Sequence, residues 1–277
     1  MNSVITLTTD FGVAGGYVAA MKGVILDTNP EALLVDISHE IPPQNVFQAA
    51  FVLSTVYPYF PRSAIHLVVV DPGVGTTRRI VILRTPSGTF VGPDNGVLSY
   101  AIQEYASGDF VEASGGLRQV KLNPEAHAVE VTNSRFFRQP VSDTFHGRDI
   151  MAPVAALLSQ GFQINAFGET VNRLNMLKLP QPEVLAGGGV TGHVLHIDNF
   201  GNVITDVRPE DLPAGTNLRI DLGGHLVQGL KHAYADGSGL MAVIGSAGYL
   251  EIALKGGSAA ALCSTRVGDD IKIRAGA

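Results

Sequence analysis

The chain has 277 residues, of which 45% are hydrophobic and 16% charged, with a mean hydropathy of +0.22; this excludes a disordered or collagen-like polymer. Nineteen basic against 25 acidic side chains give a net charge of −6, and no run of clustered Lys and Arg occurs, so no nucleic-acid partner is expected. The single cysteine, Cys263, excludes an intrachain disulfide framework, no apolar run reaches the ~18 residues of a membrane helix, and the opening MNSVITLTTDFG lacks a signal-type pattern, so a soluble cytoplasmic protein without membrane contact is expected.

Strand-like and helix-like stretches alternate over residues 1–170. Residues 4–7 are a short β-branched strand. Residues 14–28 read as a helix, with Val18, Met21, Ile25 and Leu26 at helical spacing. Residues 33–37 read as a buried strand and 46–56 as a helix. Residues 65–70 and 80–83 are apolar strands. Residues 95–105 and 149–158 read as further helices. Unbroken apolar strands occur where both sheet faces are covered, which predicts a layered α/β domain with a mostly parallel sheet over 1–170. Leu179-Pro180-Gln181-Pro182 and Gly187-Gly188-Gly189 mark a linker over 171–188. Residues 189–277 show short strands separated by glycine turns and no helix of three turns. They predict a smaller antiparallel β-barrel-like domain.

Several segments carry candidate chemistry. TTDFG (8–12) follows the first strand, and ligands of open α/β sheets bind at the carboxyl ends of strands. Asp10 there can accept hydrogen bonds from both ribose hydroxyls, or cap the next helix. In DPGVGTTRR (71–79) an apolar strand ends in Asp71, and a glycine turn leaves Arg78 seven positions on, within reach of that carboxylate. Such a pair orients the Asp for chemistry; a purely structural ion pair fits equally. GPDNG (92–96) reads as a turn and helix cap. FHGRD (145–149) sets His146 in a glycine-flanked loop at a helix start, suited to a proton acceptor or donor or to a structural role. No H-E-x-x-H and no second nearby His accompanies it, so no metal is expected. In DNFGN (198–202), Asn202 has both a donor and an acceptor for an adenine edge. In GSAGYLEIA (245–253), small residues around Ser246 permit close approach of a ligand. An ordinary hairpin accounts for either of these two segments as well.

Together, in this order and over essentially the whole chain, these segments resemble the S-adenosylmethionine (SAM) hydroxide adenosyltransferases, or adenosine-forming SAM hydrolases, relatives of the fluorinases and chlorinases. The resemblance implies a water-handling triad of Asp71, Arg78 and His146. It implies Asp10 on the ribose, Asn202 on the adenine and Asp198 near the methionine amino group. Ser246 falls near the methionine part, with Tyr249 and Glu251 as further substrate contacts. The implied reaction is hydrolysis of SAM to adenosine and methionine by in-line attack on C5′, with SAM as substrate, no cofactor and no metal. The implied assembly is a homotrimer in which one subunit's barrel-like domain completes the site on its neighbour's α/β domain. Halogenating relatives carry a long insertion between DPGVGT and GPDNG, where only residues 80–91 separate Arg79 from Gly92 here, and a hydroxyl residue in place of Gly147. Both departures favour water over halide. The alternatives are a SAM-dependent halogenase and a non-catalytic SAM or adenosine binder.

Overall fold

The chain divides where its character changes. The computed structural model describes residues 4–214 and 217–276, and it forms two units, Met1–Lys178 and Leu179–Ala277.

Among the described residues the first unit has ten strands: β1 (Val4–Thr9), β2 (Leu33–Ser38), β3 (Ile65–Val69), β4 (Ile80–Thr85), β5 (Gly88–Pro93), β6 (Ala106–Glu112), β7 (Leu117–Leu122), β8 (His127–Val131), β9 (Gly168–Val171) and β10 (Arg173–Leu177). Its helices are α1 (Tyr17–Thr28), α2 (Val46–Ser54), α3 (Ser99–Gln103) and α4 (Ala152–Ser159). The main sheet has the order β2-β1-β3-β5-β4-β8-β9. β2, β1, β3 and β5 run parallel, and β4, β8 and β9 then alternate. Five of the seven strands therefore point one way, as expected for a mostly parallel sheet. β3 shows why its sequence is unbroken. Leu67 and Val69 pack with Met21, Ile25, Val154 and Ala155 of α1 and α4. Val68 packs on the other face with Ala49, Leu53 and Ile102 of α2 and α3. Alternate residues fill two cores, so every position is apolar, and truncating Leu67 to Ala would cost about 2–5 kcal/mol. His66 is the exception. It is fully buried, stacks on Phe90 with ring centroids 4.9 Å apart, and places Nδ1 2.9 Å from Thr6 Oγ1. Burial pushes its pKa down to about 4.

The elements depart from the sequence reading at several ends. α1 starts at Tyr17 rather than 14, because Gly15-Gly16 precede it and no side chain caps it. The helix expected over 95–105 shrinks to α3. Asn95 Oδ1 accepts the Val97 N–H and Asn95 Nδ2 donates to the Val70 carbonyl, bonds that hold this stretch in a turn. Part of the expected linker is ordered: β10 pairs with β7 in a small sheet β10-β7-β6.

The second unit contains β11 (Glu183–Val184), β12 (Val190–Ile197), β13 (Val203–Thr205), β14 (Leu218–Leu222), β15 (His225–Gln228), β16 (Leu240–Ile244), β17 (Leu250–Leu254), the one-turn helix α5 (Ala259–Cys263) and β18 (Asp270–Ala275). The strand order is β15-β14-β18-β12-β13-β17-β16, all antiparallel, with β11 beside β12. The ends meet where Leu230 bridges Ala242 and the Lys231 N–H donates to the Ala242 carbonyl at 2.8 Å. This nearly closed barrel encloses Val194, Ile220, Leu222, Ile252 and Ile271. Among the described residues no helix is long and apolar enough to cross a membrane.

Candidate active site

In the first unit, Asp10 follows β1 and Asp71 follows β3, and these parallel strands deliver both to the carboxyl edge of the sheet. The Pro-Gly-Val-Gly turn after Asp71 reverses the chain through hydrogen bonds from the Val74 N–H to the Asp71 carbonyl and from the Thr76 N–H to the Gly73 carbonyl. Gly75 takes φ +79°, and a Cβ there would stand 2.5 Å from the Asp143 carbonyl oxygen. Glycine thus lets this loop lie against the segment that leads to His146.

The turn returns Arg78 to Asp71. Its Nε donates to Oδ1 at 2.7 Å and to Oδ2 at 2.8 Å, and its Nη2 also donates to Oδ2. The side chains are 11% and 5% exposed, so the fork is a nearly buried, oriented pair. The same Nη2 lies 2.9 Å from His146 Nδ1. A guanidinium has donors only, so Nδ1 accepts, and the neutral ring carries its hydrogen on Nε2. Burial first, and then the Arg78 charge, hold the His146 pKa below its ordinary value, against Asp71, Asp143 and Asp149. A neutral imidazole is the state this row of three supports.

His146 precedes a widened π-type turn over Gly147–Met151 that runs directly into α4, so the helix read over 149–158 is present with its first turn π-type. A Cβ on Gly147 would stand 2.8 Å from Val69 Cγ1, so β3 closes off that position. Asp149, fully buried, anchors the turn from inside. It accepts from the Ser142 N–H at 2.9 Å and from Arg148 Nε and Nη2 at 2.7 and 2.8 Å. Burial raises its pKa, but Arg148 and Ser142 outweigh burial and hold the carboxyl below the ordinary value. The rings of Phe11, Tyr17 and Phe145 lie 5.3–5.6 Å apart in pairs and tie the Asp10 loop to the His146 loop.

The neighbouring arginine serves elsewhere. Arg79 donates to Asp94 and, through Nη2, to the Arg173 carbonyl at 3.0 Å, while Asp94 accepts the Asn175 N–H at 2.8 Å. GPDNG is therefore the end of β5 and the turn before α3, with Asp94 buried in an ion pair. Burial raises the Asp94 pKa against the pull of Arg79.

In the second unit, Asp198 Oδ1 accepts the Phe200 and Asn202 N–H groups and Oδ2 accepts Asn202 Nδ2, each at 2.9 Å. The carboxylate shapes the turn and orients Asn202. Asn202 lines a cleft of about 470 Å³ with Phe200, Tyr234, Met241, Leu254 and Lys255. Tyr234 carries no local sequence signal, yet its hydroxyl donates to Glu251 Oε1. Burial, then the Glu251 contact, push Tyr234 up to about 12, and burial also raises Glu251. Tyr249 accepts from Arg208 Nη2 at 2.9 Å and lies under that guanidinium, 4.4 Å from its ring centroid. Ser246 is exposed in the turn closed by the Gly245 N–H and Tyr249 carbonyl.

A strand-end carboxylate, a returning arginine and a loop histidine on an α/β unit, followed by a β-barrel unit, define a class of enzyme-like two-unit proteins. Comparison places the chain within it. Residues 5–168 match the SAM hydroxide adenosyltransferase N-terminal domain and residues 192–272 its C-terminal domain. The chain belongs to the SAM hydroxide adenosyltransferase family. It is 38% identical to an (R)-S-adenosyl-L-methionine hydrolase of Salinispora tropica, over 98% of both chains. It is 26% identical to a fluorinase of Nocardia brasiliensis, over 99% of this chain and 97% of that one. A crystal structure of an uncharacterized conserved protein from Thermotoga maritima superposes with TM-score 0.84 at 35% identity, covering 97% of this chain and 99% of that one.

Proposed function

We propose that this protein hydrolyses S-adenosyl-L-methionine to adenosine and L-methionine. The observation that carries the reading is Arg78 bridging Asp71 and His146. The substrate's sulfonium already makes methionine a good leaving group, so neither a general acid nor a metal is needed. The barrier lies in neutral water attacking a primary carbon, and the protein lowers it by placing and activating one water in line with C5′–S. His146, with hydrogen on Nε2, presents a donor to a lone pair of that water and steadies hydroxide character as it develops. Asp71 Oδ1, which receives one guanidinium N–H, keeps acceptor capacity for the departing proton. The oxygen–C5′ bond forms as the C5′–S pair withdraws onto sulfur, and one proton is released.

Asp10 binds the ribose. Asn202 reads adenine at the cleft it shares with Phe200 and Tyr234, with Asp198 and Ser246 toward the methionine part. Glu251 and Tyr249 support this wall through Tyr234 and Arg208. A homotrimer joins one subunit's barrel surface to its neighbour's α/β site; Phe200, 79% exposed beside Asn202, supports a surface completed by another chain. The single cysteine and the substrate support a cytoplasmic location. The test is product analysis with SAM in ¹⁸O-water, chelator present. Label on the adenosine 5′-hydroxyl is expected. Formation of 5′-methylthioadenosine, a chloride-dependent 5′-halo product, or tight binding without turnover would overturn the reading.

A further inference from the structure

The carboxylate assigned to the ribose is held by a residue in a strained conformation. Asp10 Oδ2 accepts the main-chain N–H of Gln44 at 2.7 Å. Gln44 has φ +62°, in the left-handed region that non-glycine residues enter only at some cost. Among the described residues one other non-glycine residue shares a positive φ, Ser264, and it ends α5. A left-handed residue after a helix is routine. Gln44 ends no helix. It precedes Asn45, whose Oδ1 accepts the Gln48 N–H at 3.0 Å to start α2.

The local sequence explains how the strain is directed. Pro42 and Pro43 come immediately before. Their rings fix φ and they have no N–H, so Gln44 is the first residue of this stretch able to donate. The Asn45 N–H donates to the Pro42 carbonyl at 3.0 Å, so Gln44 is the third residue of a β-turn with Pro43 second, where positive φ closes the turn and leaves the Gln44 N–H facing Asp10. The two segments are tied again at Gly12, whose N–H donates to the His39 carbonyl at 2.8 Å, and at Thr9, whose Oγ1 lies 2.9 Å from His39 Nδ1. The Gln44 side chain is exposed and makes no part of this pattern.

We infer that Gln44 is the positioning residue for Asp10. Its left-handed main chain, not its amide side chain, occupies one carboxylate oxygen and leaves Oδ1 turned to the ribose. A carboxylate pinned before substrate arrives loses less freedom on binding, so the effect belongs to affinity and not to bond-making. The inference rests on Asp10 as the ribose ligand.

The experiment measures KM for SAM, kcat and the melting temperature for full-length variants. Gln44→Ile, β-branched and resistant to positive φ, is expected to raise KM about tenfold, the size of a hydrogen bond to a charged group, with kcat unchanged. Gln44→Gly and Gln44→Asn, which accept positive φ, keep the parent KM. Gln44→Ala removes the amide without changing the backbone demand and also keeps it. If Ala and Gly raise KM as much as Ile does, the side chain makes the contact and the inference falls. The Ala and Gly pair decides this even where the Ile variant does not fold. If Gln44→Ile leaves KM unchanged while Asp10→Ala raises it, the inference falls and the ribose reading stands. If Asp10→Ala itself leaves KM unchanged, the ribose reading falls first and takes the inference with it.

Discussion

Carboxylates are held differently in the two units. In the α/β unit the buried ones meet guanidinium groups: Asp71 with Arg78, Asp94 with Arg79, Asp149 with Arg148. In the barrel unit buried Glu251 and Asp206 and half-buried Asp198 meet backbone N–H groups, hydroxyls and an imidazole. Asp198 holds its own turn, Glu251 takes the Tyr234 hydroxyl, and Asp206 accepts the His193 N–H and Nδ1, both at 2.7 Å. A guanidinium fork fixes charge and direction together, which suits a place where charge develops during reaction. Hydrogen bonds within a turn fix shape, which suits recognition of a neutral base. Under the proposed function, chemistry belongs to Asp71, Arg78 and His146 of the first unit and reading of the adenine to Asn202 of the second.

The strongest test of that division is the triad. Arg78→Ala, His146→Ala and Asp71→Asn should each lower kcat about 10²–10⁴-fold while KM changes little. The double change Asp71→Asn with His146→Ala should cost little more than the worse single one, because the three share one guanidinium; multiplicative losses in steady-state kinetics would show independent roles. Next comes the adjacent arginine. Arg79→Met strands a carboxylate that is 2% exposed, and chemical denaturation should show a loss of about 3–5 kcal/mol, whereas the folded fraction should keep its kcat. Equal kcat losses at 78 and 79 would erase the distinction between a reacting and a structural pair.

Acid gives a smaller effect, in the α/β unit. The folded pKa of His66 is depressed to about 4, so the unfolded chain binds its proton first as pH falls. Stability is full above the unfolded value near 6.5 and declines toward 4, by roughly 3 kcal/mol over that window. His66→Phe should flatten the slope of denaturation free energy against pH between those limits. The smallest effects belong to recognition. Asp10→Ala and Asn202→Ala should raise KM about tenfold with kcat nearly constant, since they remove contacts shared by ground and transition states. A fall in kcat at Asn202 would move chemistry into the barrel unit.

Sequence reasoning reached the parts whose causes are local. The runs at 4–7 and 65–70 announce a covered sheet because each residue type answers to burial at its own position; 33–37 reads the same way, yet β2 is the edge strand of the sheet, with Leu33 51% and Val35 38% exposed. Arg78 falls back on Asp71 within one loop, so spacing alone places it. Asp94 was less legible. Pro, Asp, Asn and Gly together read as a turn, and nothing nearby shows that Arg79 and Asn175 neutralise and bury the carboxylate. The sheet β10-β7-β6 escaped because its strands carry Arg118, Lys121 and Arg173 on short, partly exposed ribbons without an apolar run. Tyr234 and Gln44 escaped for a different reason. One gains its role from a partner seventeen residues away, the other from a backbone angle that composition does not encode.

The bare position after His146 has a consequence for descent. A Cβ at residue 147 would stand 2.8 Å from Val69 Cγ1, so any larger residue requires Val69 to give way. A lineage that places a hydroxymethyl group there has to make Val69 shift or shrink, a core adjustment that costs stability.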